Sequence, residues 1–140
     1  MVDATGRELH CVVVTPERAL LDEEADFVAL LMYDGELGVA PGRAALIGRL
    51  GYGELRIRRG QDTRRFFVDG GFAQVRGNVV TVLTPRAVPA AEIVPDAAER
   101  ALQEAMKPGK TPEQQDAQLR AQERARAQLR VAHRREGAPV

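Results

Sequence analysis

Side chains that could do acid–base or nucleophilic chemistry near neutral pH are few in this sequence. The two histidines are His10, at the start of a predicted strand, and His133, in a basic run near the end of the chain. The one cysteine, Cys11, lies in a β-branched run, where a cysteine is far more often a small core residue than a nucleophile. Neither histidine is placed to activate it. We therefore predict a buried Cys11 and no catalytic residues.

Cofactor motifs are also missing from the acidic and glycine-rich segments. The acidic run 22–26 lacks the spacing and turn glycine of a calcium loop, and predicts a solvated turn. Segment 51–53 leads into strand-like residues, whereas a phosphate-binding loop leads into a helix. Gly70 and Gly71 predict a bend or bulge within a strand. We expect neither a metal nor a cofactor.

Composition favours one globular domain with an appendage. Hydrophobic residues make up 44% of the 140 residues, which suits a packed core. Lysine and arginine balance aspartate and glutamate at 20 each, so no overall field favours nucleic acid or an anionic membrane. No apolar run approaches the ~20 residues of a membrane helix. We expect a soluble chain that reaches a membrane only through a partner.

The first region, residues 1–88, is typical of an antiparallel β-sandwich. It holds all six aromatic residues and most of the glycines. Turn signals recur about every ten residues between alternating apolar segments. The predicted strands are 9–15, 18–22, 26–32, 53–59, 64–68, 72–75 and 79–83.

One segment of this region, residues 35–45, combines three glycines with Pro41. Glycine adopts positive φ without steric cost, and proline cannot donate to a strand ladder. Because Leu37 and Val39 are apolar, an ordinary solvated loop does not explain the segment. We predict a compact loop that presents a contact surface.

The second region, residues 89–140, predicts an antiparallel two-helix hairpin. Asp96 and Glu99 have the spacing of a capping box, and the helix should end at 107–109. Thr111 and Gln114 form a second capping box that starts a longer helix. Both apolar stripes consist mainly of alanine, which buries little area. We therefore expect a hairpin that is weakly held and able to detach.

A line of arginines follows the second predicted helix. Arg126, Arg130 and Arg134 are spaced at i, i+4 and i+8, which places them along one side. One interpretation is a solvated face, and the other is docking to an acidic surface. Nucleic acid is disfavoured because no aromatic residues alternate with these arginines.

Four segments resemble the epsilon subunit of bacterial F-type ATP synthases. Residues 35–42, GELGVAPG, are similar to that family's GELG-x-x-PGH segment. Residues 67–75, FVDGGFAQV, resemble its strand–GG–strand segment, and 78–83, NVVTVL, its following strand. Residues 127–131, AQLRV, resemble its terminal helix. The order is the family's own over nearly the whole chain.

The resemblance implies a non-catalytic subunit of the rotor's central stalk, on the cytoplasmic face of the membrane. The sandwich would bind the gamma subunit and rest on the ring of c subunits. The ring contact would use Glu36, Leu37, Gly38, Pro41, Gly42 and Arg43. The hairpin would extend toward the catalytic beta subunits and restrain ATP hydrolysis, with contacts from Arg126, Arg130 and Arg134.

The chain differs from the family's pattern at several positions, so the family's residue roles do not all apply to it. Arg43 stands where the family often has histidine, and Ala45 where it has proline. Some members bind ATP through an (I/L)DxxRA motif, whose counterparts here are Asp96 and Arg100. One extra residue between them turns Arg100 by about 100°, which argues against nucleotide binding. The alternatives are a stand-alone β-sandwich binding module and, third, an esterase-like enzyme.

Overall fold

The computed structural model describes residues 8–135, so the ends of both predicted regions, 1–7 and 136–140, lie outside it. Its elements are β1 (Leu9–Val14), β2 (Ala19–Ala25), β3 (Phe27–Met32), β4 (Gly35–Val39), β5 (Leu46–Arg59), β6 (Asp62–Arg76), β7 (Val79–Leu83), β8 (Ala87–Pro89), a 3-10 helix (Ala90–Glu92), α1 (Pro95–Ala105) and α2 (Pro112–Arg135). No helix in the described part is long and apolar enough to span a membrane. The predicted boundary at residues 88 and 89 falls within β8.

The strands form a two-layer sandwich in which β5 and β6 take part in both layers. Strand order is β2-β1-β7-β6-β5-β3-β4, with β8 on β6, and every pair is antiparallel except β1 with β7. Residues 72–76 of β6 pair with β7, whereas residues 66–68 pair with β8. The first layer is β2-β1-β7 with residues 72–76 of β6 and 46–49 of β5. The second is β4-β3 with residues 52–59 of β5, 62–69 of β6, and β8. The predicted sandwich is confirmed.

The core lies between the layers and is built by period-2 alternation. In β1, Leu9, Cys11 and Val13 point inward and are essentially unexposed. In β7, Val80 and Val82 do the same. Burial raises the pKa of the Cys11 thiol to about 12, so it stays a protonated core residue, as its β-branched neighbours predict.

Two predictions for the strands are wrong. The predicted strands 64–68 and 72–75 are one strand, although the predicted bend at Gly70 and Gly71 is confirmed: both adopt positive φ and bend β6 without ending its ladder. Most of the acidic run is not a solvated turn, since residues 22–25 lie within β2 and only Asp26 lies in the bend that follows it. Glu23 pairs with Arg64 at 2.6 Å and Glu24 with Arg59 at 3.3 Å, which ties the edge of the first layer to the β5–β6 hairpin.

The two helices start differently. At α2, the Gln114 amide donates to Thr111 Oγ1 at 3.1 Å, so the predicted cap is confirmed. The Gln114 side chain accepts from the Lys110 amide at 2.8 Å rather than from Thr111. At α1 the predicted capping box is wrong: Pro95 is the first helical residue and Val94 the cap, without a side-chain cap bond. Asp96 is therefore inside the helix.

The hairpin is attached to the sandwich mainly through α2. Helix α1 packs on α2, whereas α2 also contacts β5, β6 and the 3-10 helix. Ala98 and Ala105 of α1 are buried, as are Ala125 and Ala132 of α2. With 24 residues against 11, α2 extends well beyond α1, and Leu119 is exposed there.

Candidate interaction surfaces

Helix α2 covers the outer face of the second layer, which we call the covered face. Its outward side chains are Tyr52, Glu54, Phe67 and Asp69, at register-paired positions of β5 and β6. Phe67 is fully buried against a cluster from the hairpin and its linker: Ala90, Ile93, Ala127, Val131 and Ala132. Alternation in β5 and β6 points these residues away from the sandwich core. The helix is what removes Phe67 from water.

One ion pair attaches the middle of α2 to the covered face. Arg124 Nε donates to Asp69 Oδ1 at 2.6 Å, and the Arg124 guanidinium lies 5.2 Å from the centre of the Tyr52 ring. The hydrogen bond to Asp69 raises the pKa of Arg124, against a smaller opposing effect of burial. Asp69 belongs to the segment 67–75 that was identified from its motif, but its partner Arg124 lies 55 residues further along the chain.

A second cluster of charges fixes the end of α2. Three arginines surround the Glu54 carboxylate, whose side chain is only 8% exposed. Arg134 Nη1 and Arg56 Nη1 each lie 3.0 Å from Oε1, and Arg65 Nε lies 3.8 Å from Oε2. Arg65 also donates to the Arg134 carbonyl at 3.5 Å. Two of the three cations belong to the sandwich and one to the hairpin.

The predicted arginine line is divided by this packing. Arg126 and Arg130 are exposed, and neither has a hydrogen bond or ion pair within residues 8–135. Arg134 is instead paired with Glu54. Each four-residue step advances about 40° beyond a full turn, so Arg134 lies about 80° around the helix from Arg126. That rotation turns Arg134 toward the covered face.

The outer face of the first layer carries no described element, and we call it the uncovered face. Its apolar side chains are Val12, Val14, Ile47, Phe72, Val79 and Leu83, and polar side chains such as Gln74 and Arg76 lie among them. Leu83 is in register with both Val14 and Phe72, so the three form a row across β1, β7 and β6. Ile47 is 73% exposed, and Phe72 and Leu83 are 51% exposed. The sequence analysis missed this face, although apolar residues at outward positions of alternating strands were its signal.

The segment 35–45 is half strand and half turn, which corrects the prediction of a loop. Residues 35–39 form β4, paired with β3 from Val28↔Val39 to Met32↔Gly35. Gly38 approaches the Phe27 ring so closely that a Cβ would lie 2.8 Å from it. The pairing was missed because glycine is usually unfavourable in strand interiors.

The turn after β4, residues 40–45, is mostly exposed; we call this turn, together with Glu36 near the start of β4, the tip. Glu36 and Arg43 are exposed, whereas Pro41 is half-buried. Gly42 has φ +87°, and its amide donates to Asn78 Oδ1 at 2.8 Å. Leu37 packs on the core from beneath. The predicted contact residues therefore present two opposite charges on a fixed backbone.

The nucleotide-motif counterparts, Asp96 and Arg100, lie one turn apart on α1 and are both exposed. Neither makes a hydrogen bond or ion pair within the described ranges. In the same part of the chain, no three histidine, cysteine, aspartate or glutamate side chains are grouped to hold a metal ion.

Fold and surfaces together define a β-sandwich module with a docked helical hairpin and exposed contact faces. Residues 8–90 match the family model described as the ATP synthase, Delta/Epsilon chain, beta-sandwich domain. The chain belongs to this family, and the resemblance seen in its motifs is confirmed.

Curated relatives extend the match beyond the sandwich. The chain is 57% identical over 125 residues to the ATP synthase epsilon chain of Rhodopirellula baltica, covering 89% of this chain and 98% of that protein. It is 38% identical over 112 residues to the ATP synthase epsilon chain of Rubrobacter xylanophilus, covering 79% of this chain and 77% of that protein. Alignments of 125 and 112 residues extend beyond the sandwich into the hairpin of this chain.

Solved structures share the fold at low identity. A chain of the Euglena gracilis mitochondrial ATP synthase OSCP/F1/c-ring structure matches with TM-score 0.72 and 23% identity, over 99% of this chain and 83% of that one. A chain of the Tetrahymena thermophila mitochondrial ATP synthase central stalk/c-ring structure matches with TM-score 0.72 and 16% identity, over 89% of this chain and 96% of that one.

Proposed function

We propose that this chain is a non-catalytic epsilon subunit in the central stalk of a proton-translocating F-type ATP synthase. There it couples rotation of the c-subunit ring to ATP synthesis. It is peripheral, on the cytoplasmic face of the membrane, and is held there through the complex. Family membership supports this role over a stand-alone binding module, because full-length relatives are epsilon chains.

The main structural support for this proposal is the uncovered face. An exposed apolar row across β1, β7 and β6, with Phe72 and Leu83 each 51% exposed and Ile47 of the same face 73% exposed, marks a site that another protein covers. Burying it is favourable by about 25 cal/mol per Å². We assign this face to the gamma subunit, because stable stalk assembly needs an apolar interface that persists during rotation.

The tip is assigned to the c ring. Glu36 and Arg43 have no hydrogen bond or ion pair through their side chains among residues 8–135, so both are available to partner charges. The Gly42–Asn78 hydrogen bond holds the backbone between them in one shape. A rigid tip transmits torque better than a mobile loop, which suits a contact between two rotor parts.

The hairpin is assigned a regulatory contact with the catalytic beta subunits. Arg126 and Arg130 are already exposed, and Arg134 joins them once it leaves Glu54. Helix α2 would then present its three arginines to an acidic segment and restrain ATP hydrolysis.

Co-purification from the host tests the central assignment. Tagged wild-type chain should recover gamma and the other synthase subunits. Leu83→Glu should recover far less, because it places a charge in the centre of the apolar face. Val94→Glu is the matched control, since Val94, the cap residue just before α1, is 59% exposed and lies outside that face. Recovery of no synthase subunit by the wild-type chain would end the proposal.

The tip assignment has its own test. Glu36→Lys should reduce proton-driven ATP synthesis by membranes more than ATP hydrolysis by the detached catalytic head. Equal loss of both activities would argue against a ring contact at this position.

A further inference from the structure

A large open cleft lies between α2 and the bend of the β5–β6 ribbon. Its volume is about 960 Å³, and we call it the basic cleft. The sandwich contributes Arg49 and Phe72 to its walls, and α2 contributes Arg120, Arg124, Arg126 and Arg130. The cleft shares Tyr52, Asp69 and Arg124 with the covered face and extends beyond that face to Phe72 and to the exposed side of α2.

The charges in the basic cleft are unbalanced. Five arginines and two carboxylates, Asp69 and Glu123, line it, which leaves an excess of three positive charges. Arg124 is committed to Asp69, and Arg49 lies over the Tyr33 ring at 4.8 Å. The side chains of Arg120, Arg126 and Arg130 are exposed and make no hydrogen bond or ion pair within residues 8–135. Their excess positive charge attracts an anionic partner, and salt weakens that attraction because the side chains are in water.

The dimensions of the cleft favour a polypeptide over a small anion. From Arg120 to Arg130 the helix rises about 15 Å, whereas one phosphate or carboxylate reaches only the guanidinium groups next to it. Arg126 and Arg130 are about 6 Å apart along the axis. Carboxylates two residues apart on a strand, or four apart on a helix, have nearly that spacing.

The basic cleft also continues the uncovered face. Phe72 belongs to both, and its register partner on β5 is Arg49. A protein lying on the uncovered face therefore reaches the cleft without any movement of the hairpin. The part of that protein that lies over the cleft would contact the apolar Phe72 on the sandwich side and the guanidinium groups of α2 on the other side.

We propose that the basic cleft binds an acidic segment of the protein that covers the uncovered face, while the hairpin is docked. The identity of that protein, gamma, rests on the proposed function. Arg126 and Arg130 then serve a contact within the stalk, in addition to any contact made after α2 leaves the sandwich. Guanidinium groups suit this contact because they bind carboxylates in bidentate fashion.

Binding between two purified proteins tests the proposal: the full chain and the gamma subunit of the same synthase, without catalytic subunits. Affinity is measured by calorimetry for wild type and for a variant carrying both Arg126→Glu and Arg130→Glu. At about 50 mM salt the variant should bind at least about tenfold more weakly, and at about 500 mM the difference should shrink below about threefold. Arg100→Glu, on exposed α1, is the matched control and should bind like wild type.

Three other outcomes would overturn the proposal, and each is distinguishable. Equal affinity of variant and wild type at low salt removes the cleft contact and leaves the gamma assignment intact. Failure of the wild-type chain to bind gamma removes the gamma assignment and the cleft contact together. Binding of inorganic phosphate that the double variant abolishes, with gamma affinity unchanged, makes the cleft a small-anion site. Backbone hydrogen exchange of α2 verifies that the hairpin stays docked in each variant.

Discussion

The two outer faces of the sandwich come from the same alternating strands but have opposite chemistry. The covered face combines a fully buried Phe67 with Glu54 and Asp69, and its own hairpin provides the arginines that pair with them. The uncovered face is apolar at Phe72 and Leu83 and has no described partner within the chain. A buried carboxylate needs a specific partner, whereas an apolar face accepts any complementary surface.

If the proposed function holds, this difference separates a reversible contact from a permanent one. Contacts of α2 with the covered face combine burial of Phe67, against the small side chains of Ala127 and Ala132, with ion pairs that water and other charges can replace. The uncovered face has larger apolar side chains, and covering them depends on no single charge. A hairpin that leaves and a sandwich that stays bound are the expected result.

The largest expected effect comes from the bend that joins the two faces. Gly71 has φ +106°, and a Cβ there would lie 2.0 Å from the Leu83 carbonyl oxygen. Gly71→Ala should lower the free energy of unfolding by about 4 kcal/mol or more, from backbone strain plus overlap. Urea unfolding measures it. Gly77→Ala is the control: φ is +55° with open space around it, and the loss should be about 1 kcal/mol. Similar losses would show that the bend tolerates a side chain.

Phenylalanines on the two faces should respond differently to truncation. Phe67→Ala should cost about 3 kcal/mol of unfolding free energy in the free chain, because the side chain is fully buried. Phe72→Ala should cost under about 1 kcal/mol, because half the residue is already in water. Thermal and urea unfolding of the two variants, side by side, give the comparison. Equal costs would mean that the faces do not differ as described.

Members of the Glu54 cluster should also be unequal. Glu54→Gln removes the common anion of three arginines and should cost about 2 kcal/mol. Arg134→Gln should cost under about 1 kcal/mol, because Arg56 and Arg65 still compensate the carboxylate. Urea unfolding gives the costs, and hydrogen exchange of α2 reports on docking. A larger loss for Arg134→Gln would assign the stability to that one ion pair.

The smallest effect belongs to Cys11, which is in the core and on neither face. Its thiol pKa is about 12 in the folded chain, raised first by burial and then by nearby Glu23, against an ordinary 9.0. The unfolded chain therefore loses the proton first, and the thiol's contribution is complete below pH 9 and lost as pH rises toward 12. The slope is about 1.4 kcal/mol per pH unit. Unfolding free energies of wild type minus Cys11→Ala, at pH 8 and pH 10, isolate it. A difference that does not change with pH would contradict the burial.

Local patterns predicted much of the fold because local chemistry decides those parts. Strand 79–83 was placed correctly from its β-branched residues, and Thr111 from its position before Pro112. The cap at Asp96 was wrong because Pro95 already occupies the first helical position. The bend at Gly70 and Gly71 was predicted correctly, but the division into two strands was wrong because positive-φ glycines can bend a strand and keep its hydrogen bonds.

The candidate surfaces were only partly predictable. Glu36 and Arg43 were identified from the motif and are exposed at the tip. Arg126, Arg130 and Arg134 were identified as one line, but the structure pairs Arg134 with Glu54. The uncovered face and the basic cleft were missed. Each depends on which strands become neighbours, and spacing along the chain does not report that.

By itself, the sequence determined the two-region layout, the burial of Cys11, the start of α2 and the family. Those properties follow from side-chain alternation, capping and contiguous motifs, all of which act within a few residues. Only the tertiary structure decided which charged side chains contact one another. Arg124 meets Asp69 across 55 residues, and Arg65 meets Arg134 across 69. Which arginines are paired and which remain available is set by how α2 lies on the sheet, because an ion pair requires atoms to be within a few ångströms.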